Sequence, residues 1–143
     1  MKITGINHVG LAASDPEKAT WFLRDILGLQ YLGSELVAAQ KTLTLMFQSS
    51  SEPEQVAASR LEILKDESTG DGPIAKFLAK KGGGIHHLAL TVDSIDAALA
   101  HLKEAGIELI DKVPRIGANG TRIAFVHPRA TGGLLVELVE ESH

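Results

Sequence analysis

Residues 84–92, Gly-Ile-His-His-Leu-Ala-Leu-Thr-Val, put two histidines side by side in what reads as a buried strand. Core packing alone does not ask for that. Residues 5–13, "GINHVGLAA", have almost the same shape with one histidine. Aligning Ile6-Asn7-His8-Val9-Gly10-Leu11 with Ile85-His86-His87-Leu88-Ala89-Leu90 gives an offset of 79, from 87 minus 8. A pattern repeated over such an interval is the mark of a duplicated supersecondary unit.

The flanking residues repeat as well. After the first stretch comes "SDPEKATWFLRDILGL". Ser14 or Asp15 can cap a helix, Pro16 suits its first turn, and Gly28 closes it. Ala19, Phe22, Leu23 and Ile26 then fall on one helical face. After the second comes "DSIDAALAHLKEAG". Asp93 or Ser94 can cap, Ile95, Ala98, Leu99 and Leu102 form the apolar stripe, and Gly106 closes. Short strand-like runs follow each helix. In the first half they are roughly residues 30–33, 42–48 and 58–64; in the second, roughly 108–111, 122–127 and 134–140. Both halves read strand, helix, strand, strand, strand. Between them, "DGPIAKFLAKKGGG" predicts a short helix started by Asp71 and Pro73, faced by Ile74, Phe77 and Leu78, and ended by three glycines. Residues 48–55 read as a polar loop. The expected organisation is one domain over 1–143, with module one at about 1–66, a linker helix at about 71–81 and module two at about 84–143.

Bulk properties narrow the function. The 44% hydrophobic content is that of an ordinary globular protein. Net charge is −4, basic residues are scattered and only 4% of residues are aromatic, so the stripe of charge and stacking rings expected of a nucleic-acid binder is missing. No apolar run approaches the ~20 residues that span a bilayer. The start, "MKITGINHVG", lacks the apolar segment of a secretory signal. No cysteine is present, which removes disulfide and thiolate chemistry. A soluble cytoplasmic protein is expected, with no nucleic-acid or membrane partner.

Strand alternation assigns faces. His86 and His87 point opposite ways. His87 shares the register of His8, and His86 that of Asn7. The last strand of each half carries a carboxylate in apolar company, Leu61-Glu62-Ile63 and Val136-Glu137-Leu138. Their offset is 75, from 137 minus 62, close to that of the histidines. If the modules pack about a pseudo-twofold axis, His8, Glu62, His87 and Glu137 converge. Imidazoles and carboxylates suit zinc, manganese, cobalt, nickel or ferrous iron, and four such donors on an octahedral ion leave two positions open. Taken singly, a strand histidine is more often a hydrogen-bonded core or surface residue, and a glutamate in an apolar strand is usually on the solvent face. The matched placement of all four favours ligands. His101 reads as solvated, His143 as a frayed terminus, His127 as structural or a substrate contact, and Trp21 as packing or interface.

These residues resemble the vicinal oxygen chelate (glyoxalase–bleomycin resistance) superfamily, whose members pair two βαβββ modules. Among its families the chain is most similar to the methylmalonyl-CoA epimerases. "INHVGLA", "DGPIAKFLAKKGGGIHHLALTVDSIDAAL", "LKEAGIELIDKVPRIGANG" and "FVHPRATGGLLVELVE" carry the likeness. The resemblance implies an α+β fold with a cupped mixed sheet around a metal site held by His8, Glu62, His87 and Glu137. It implies one divalent ion per chain, cobalt first, with zinc, manganese or nickel as alternatives. The implied activity is interconversion of (R)- and (S)-methylmalonyl-CoA through a metal-stabilised enolate, with Glu137 as first catalytic base and Glu62 as second. An acyl-CoA substrate and a homodimer follow from the same likeness, and Lys80, Lys81, Arg115 and Arg122 are candidate phosphate partners.

The middle of the first half departs from the pattern. Gln40 is followed by Lys41 where epimerases often have Gln-Gly. About Thr44, some carry a glutamate proposed as a base, and a threonine hydroxyl cannot serve as one. The "SSSEPEQVAAS" loop is longer than expected. Two other readings stand beside this one. The quartet also suits glyoxalase-type isomerisation of a glutathione hemithioacetal by a lactoylglutathione lyase, or another metal-dependent enzyme of the superfamily. A non-catalytic drug-sequestering protein of the bleomycin-resistance kind would share the fold and generally lack the quartet.

Overall fold

A computed structural model describes residues 1–49 and 59–142. The polar loop expected at 48–55 lies almost wholly outside them, as do Ala58, where a strand was expected to start, and His143. The chain forms two compact units, His8–His86, and Met1–Asn7 together with His87–His143.

The first unit carries β1 (Ile3–Ala12, from His8 onward), α1 (Pro16–Trp21), β2 (Gln30–Val37), β3 (Thr42–Gln48), β4 (Arg60–Asp66) and α2 (Pro73–Lys81). Its strands run in the order β2-β3-β4-β1, antiparallel except for the parallel β1–β4 pair. Asp15 caps α1 by accepting from the Lys18 amide, and Pro16 occupies the first turn as expected. The helix then departs from the expected single stripe. Residues Phe22–Ile26 form a π turn, in which the Leu27 amide donates to the Phe22 carbonyl at 2.9 Å. Widening the turn breaks the 3.6-residue period. Trp21, Phe22, Ile26 and Leu27 are consequently about half exposed, at 47%, 47%, 56% and 57%.

β2 runs past the expected end at Gly33. A bulge between Tyr31 and Gly33 takes up the turn instead, with Gly33 at φ 113°, a conformation open to glycine. α2 is capped at Gly72 rather than Asp71, whose carboxylate pairs with Lys41 Nζ at 3.0 Å. Its buried Ile74 packs on Ala12 and Leu64, with Phe77 and Leu78 alongside. Gly82 closes it in the left-handed conformation, and its amide donates to the Leu78 carbonyl at 2.8 Å.

The second unit carries the start of β1, β5 (Gly84–Val92, from His87), α3 (Ile95–Glu104), β6 (Arg115–Ile116), β7 (Arg122–Val126) and β8 (Val136–Glu140). Its strand order is β5-β8-β7-β6, again with one parallel pair, β5–β8. Ser94 caps α3 by accepting from the Ala97 amide, and Ile95, Ala98 and Leu99 are buried against Val92, Ala124, Val126 and Leu138. Arg122 ties helix to sheet through Asp96 at 3.0 Å and Glu140 at 3.4 Å, and its guanidinium holds the Asp96 carboxyl below its ordinary range.

The strand expected at 108–111 is a correction. Only an isolated bridge, Leu109 to Val126, forms there. The amides of Ile110 and Asp111 both turn to the Phe125 carbonyl, and the Asp111 carboxylate accepts from the Phe125 amide at 2.8 Å, occupying the ladder position. Pairing resumes after Pro114, as β6. The last strand starts at Val136 instead of Leu134, because the Thr131 hydroxyl accepts from the Leu134 amide at 3.1 Å and holds it in the turn. Each half keeps the βαβββ order that the repeat predicts, and the fold is α+β.

Candidate metal centre

Register places the four candidate ligands identically in the two modules. Gly10 on β1 stands opposite Glu62 on β4, and Ala89 on β5 stands opposite Glu137 on β8. Gly10 and Ala89 are themselves repeat partners. In each case the histidine lies two residues earlier, on the same face of the same strand. A small residue opposite each glutamate leaves space over which its carboxylate can fold toward the histidine.

That is what happens within each unit. In the first, His8 Nδ1 lies 3.4 Å from Glu62 Oε2. In the second, His87 Nε2 lies 3.0 Å from Glu137 Oε2. All four are buried, at 6%, 5%, 6% and 5% exposure. Burying an imidazole and a carboxylate is costly unless each is paired or bound to an ion. Phe125, opposite Glu137 on β7, sets its ring edge-on to His87 at 5.6 Å and walls off solvent on that side.

The adjacent histidines are explained by alternation. His86 turns the other way and packs edge-on against Phe77 of α2 at 5.0 Å. Asn7, its repeat partner, donates to Glu141 Oε1 at 2.7 Å and Thr91 Oγ1 at 3.1 Å. His101 is exposed, as expected. His127 is structural. Its Nδ1 accepts from the Arg129 amide at 3.1 Å and so caps the turn at Pro128–Ala130. Of the candidate phosphate partners, Lys80 and Lys81 are exposed at the end of α2, while Arg122 is engaged with Asp96 and Glu140. Arg115 turns inward, its guanidinium 5.4 Å from the Phe125 ring centroid. Thr44 is buried on β3, opposite Leu64. Nothing in the sequence pattern singled out Glu35, which stands opposite Thr44 on β2.

The fold matches that of known proteins. The chain belongs to the glyoxalase/bleomycin resistance protein/dioxygenase superfamily, which its residues 7–125 match. Within that superfamily it belongs to the family of the methylmalonyl-CoA epimerases, and it is an enzyme of the isomerase class. The mitochondrial methylmalonyl-CoA epimerase of Mus musculus is 38% identical over 96% of this chain and 73% of its own length. The crystal structure of methylmalonyl-CoA epimerase from Mycobacterium tuberculosis superposes with a TM-score of 0.90 at 32% identity, covering 99% of this chain and 90% of that one. A methylmalonyl-CoA epimerase in complex with methylmalonyl-CoA and NH4+ gives a TM-score of 0.89 at 31% identity, over 99% and 96% of the two chains.

Proposed function

We propose that the chain is a metal-dependent methylmalonyl-CoA epimerase, a cytoplasmic homodimer in which residues 1–143 work as one domain of two modules. The observation that carries this reading is the pair of buried histidine–glutamate couples in identical register. The chemistry of the donors fits a divalent cation: two imidazoles, and two carboxylates whose charge it balances. His8, His87 and Glu137 are proposed ligands of that cation. Glu62, 3.4 Å from His8, completes the proposed ligand set.

When bound, the cation supplies Lewis-acid stabilisation of the charge that develops on the thioester oxygen. Cobalt is the first choice, with zinc, manganese or nickel as alternatives. The protein's own side chains move the proton. Glu137 takes it from C2, the carbon between carboxylate and thioester. Glu62, on the other module, is the carboxylate of the quartet available to return it to the opposite face. Phe125, with the apolar residues Ala89, Ile123 and Val139 packed beside it, keeps water from competing. Lys80 and Lys81 are the proposed partners of the coenzyme A phosphates. The exposed Trp21, Phe22, Ile26 and Leu27 support pairing with a second copy.

The test is a pair of assays on the metal-loaded protein. Epimerisation of methylmalonyl-CoA is expected, with no turnover of the methylglyoxal–glutathione hemithioacetal. Turnover of the hemithioacetal alone would replace this reading with the glyoxalase one, and turnover of neither would leave a binding protein.

A further inference from the structure

The reaction proposed above, on which this inference rests, needs a proton delivered on the face Glu137 does not serve. Within the quartet that role falls to Glu62, which must also hold the cation beside His8. The unit that contains β1–β4 carries another carboxylate on the same face. Glu35 stands opposite Thr44 across the β2–β3 ladder. On the next ladder Thr44 stands opposite Leu64, and Met46 opposite Glu62. Residues opposite one another share a face, as do residues two apart along a strand. Glu35, Thr44, Met46 and Glu62 therefore face the same way. Burial agrees, since Gly33, Glu35 and Val37 are half-buried while Ser34 and Leu36 are exposed.

Module two shows where a long side chain at this lattice position goes. Arg115 stands opposite Ile123, and Phe125, two residues further on, stands opposite Glu137. Arg115 thus holds the place of Glu35, Ile123 that of Thr44, and Phe125 that of Met46. The Arg115 guanidinium lies over the Phe125 ring, 5.4 Å from its centroid. A side chain here can turn inward across the next strand, to the residue that faces the quartet's glutamate. Strands two apart in a sheet are about 10 Å distant, a span that takes a small acyl group between the carboxylates of Glu35 and Glu62.

We propose that Glu35 is a catalytic acid–base residue. Its carboxylic acid gives a proton to C2, the O–H bond breaking as the C–H bond forms, and the carboxylate left behind recovers a proton from water. In the reverse direction the same carboxylate removes it. Half-buried, Glu35 keeps more contact with solvent protons than Glu62, which is 5% exposed. Glu62 then remains a ligand, and the two roles asked of it are divided.

The test is Glu35→Gln, measured beside the wild type for epimerisation, for deuterium uptake at C2 of each epimer separately, and for bound metal. Epimerisation is expected to fall roughly a hundredfold, the scale of general acid–base catalysis, with metal content unchanged. One epimer should still exchange its C2 proton through Glu137, so that exchange and inversion come apart. A double variant that adds Thr44→Glu should regain inversion. Wild-type rates in Glu35→Gln, a parallel loss of inversion and of exchange from both epimers, or loss of the metal would each overturn the role of Glu35. A metal-loaded wild type that neither inverts nor exchanges methylmalonyl-CoA would instead overturn the parent reading, and this inference with it.

Discussion

In the Glu137→Gln variant, epimerisation and exchange of the C2 proton with solvent deuterium from one epimer of methylmalonyl-CoA are expected to fall by a factor of about a thousand or more, within the range for loss of a general base. The amide is close in size to the carboxylate. It keeps an oxygen that can face a cation and a group that can stay beside His87, which lies 3.0 Å from the native carboxylate. What it loses is the ability to accept a proton at neutral pH. The loss should appear in kcat with little change in KM, because an interaction confined to the transition state has been removed. Burial at 5% makes the fold a necessary control, so circular dichroism of the variant must match the wild type. Deuterium exchange at the wild-type rate from both epimers would rule out Glu137 as the base.

Removing the metal should have an equally large effect. Exhaustive treatment with a chelator is expected to bring epimerisation to background, and one equivalent of cobalt should restore it. The hydrogen next to a thioester is removed slowly unless the charge arriving on oxygen is offset, and a divalent ion contributes several kcal/mol to that. The apo-protein should also unfold at a lower temperature than the metal-loaded form, since an ion that binds only the folded state stabilises it. An apo-protein of undiminished activity would refute the role given to the cation.

Much of this arrangement was legible in the sequence, and the reason is register. The repeat from Ile6 to Leu11 and from Ile85 to Leu90 fixes which side chains share a face. That was enough to match His8 with His87 and Glu62 with Glu137 as equivalent positions of the two modules; the histidine–glutamate couples within each module come from the structure. The alternation of His86 and His87 was equally readable, and the structure gives His86 to Phe77 and His87 to Glu137. The helix started by Ser94 and Ile95 obeyed its stripe because its whole apolar face packs on strands.

What was not legible depends on local departures from regular geometry. The π turn at Phe22–Ile26 leaves no periodic signal, so α1 was expected to be longer and to bury Phe22 and Ile26. Asp111 takes a backbone partner that a strand would have used, and the strand expected around it moved to Arg115–Ile116. Gly33 looked like a terminator, yet it accommodates a bulge. Ending β2 there hid Glu35, the residue across from Thr44, and so the sequence offered no second base outside the quartet.

The central claim is that two modules, each with one histidine and one glutamate, share a single cation. The most direct measurement is a cobalt titration of the apo-protein, followed by elemental analysis, alongside His8→Ala and His87→Ala. The account predicts one ion per chain in the wild type, and loss of that same ion in either variant, although the two changes fall in different modules. Two ions per chain, or a variant that keeps its cobalt at wild-type affinity, would contradict it.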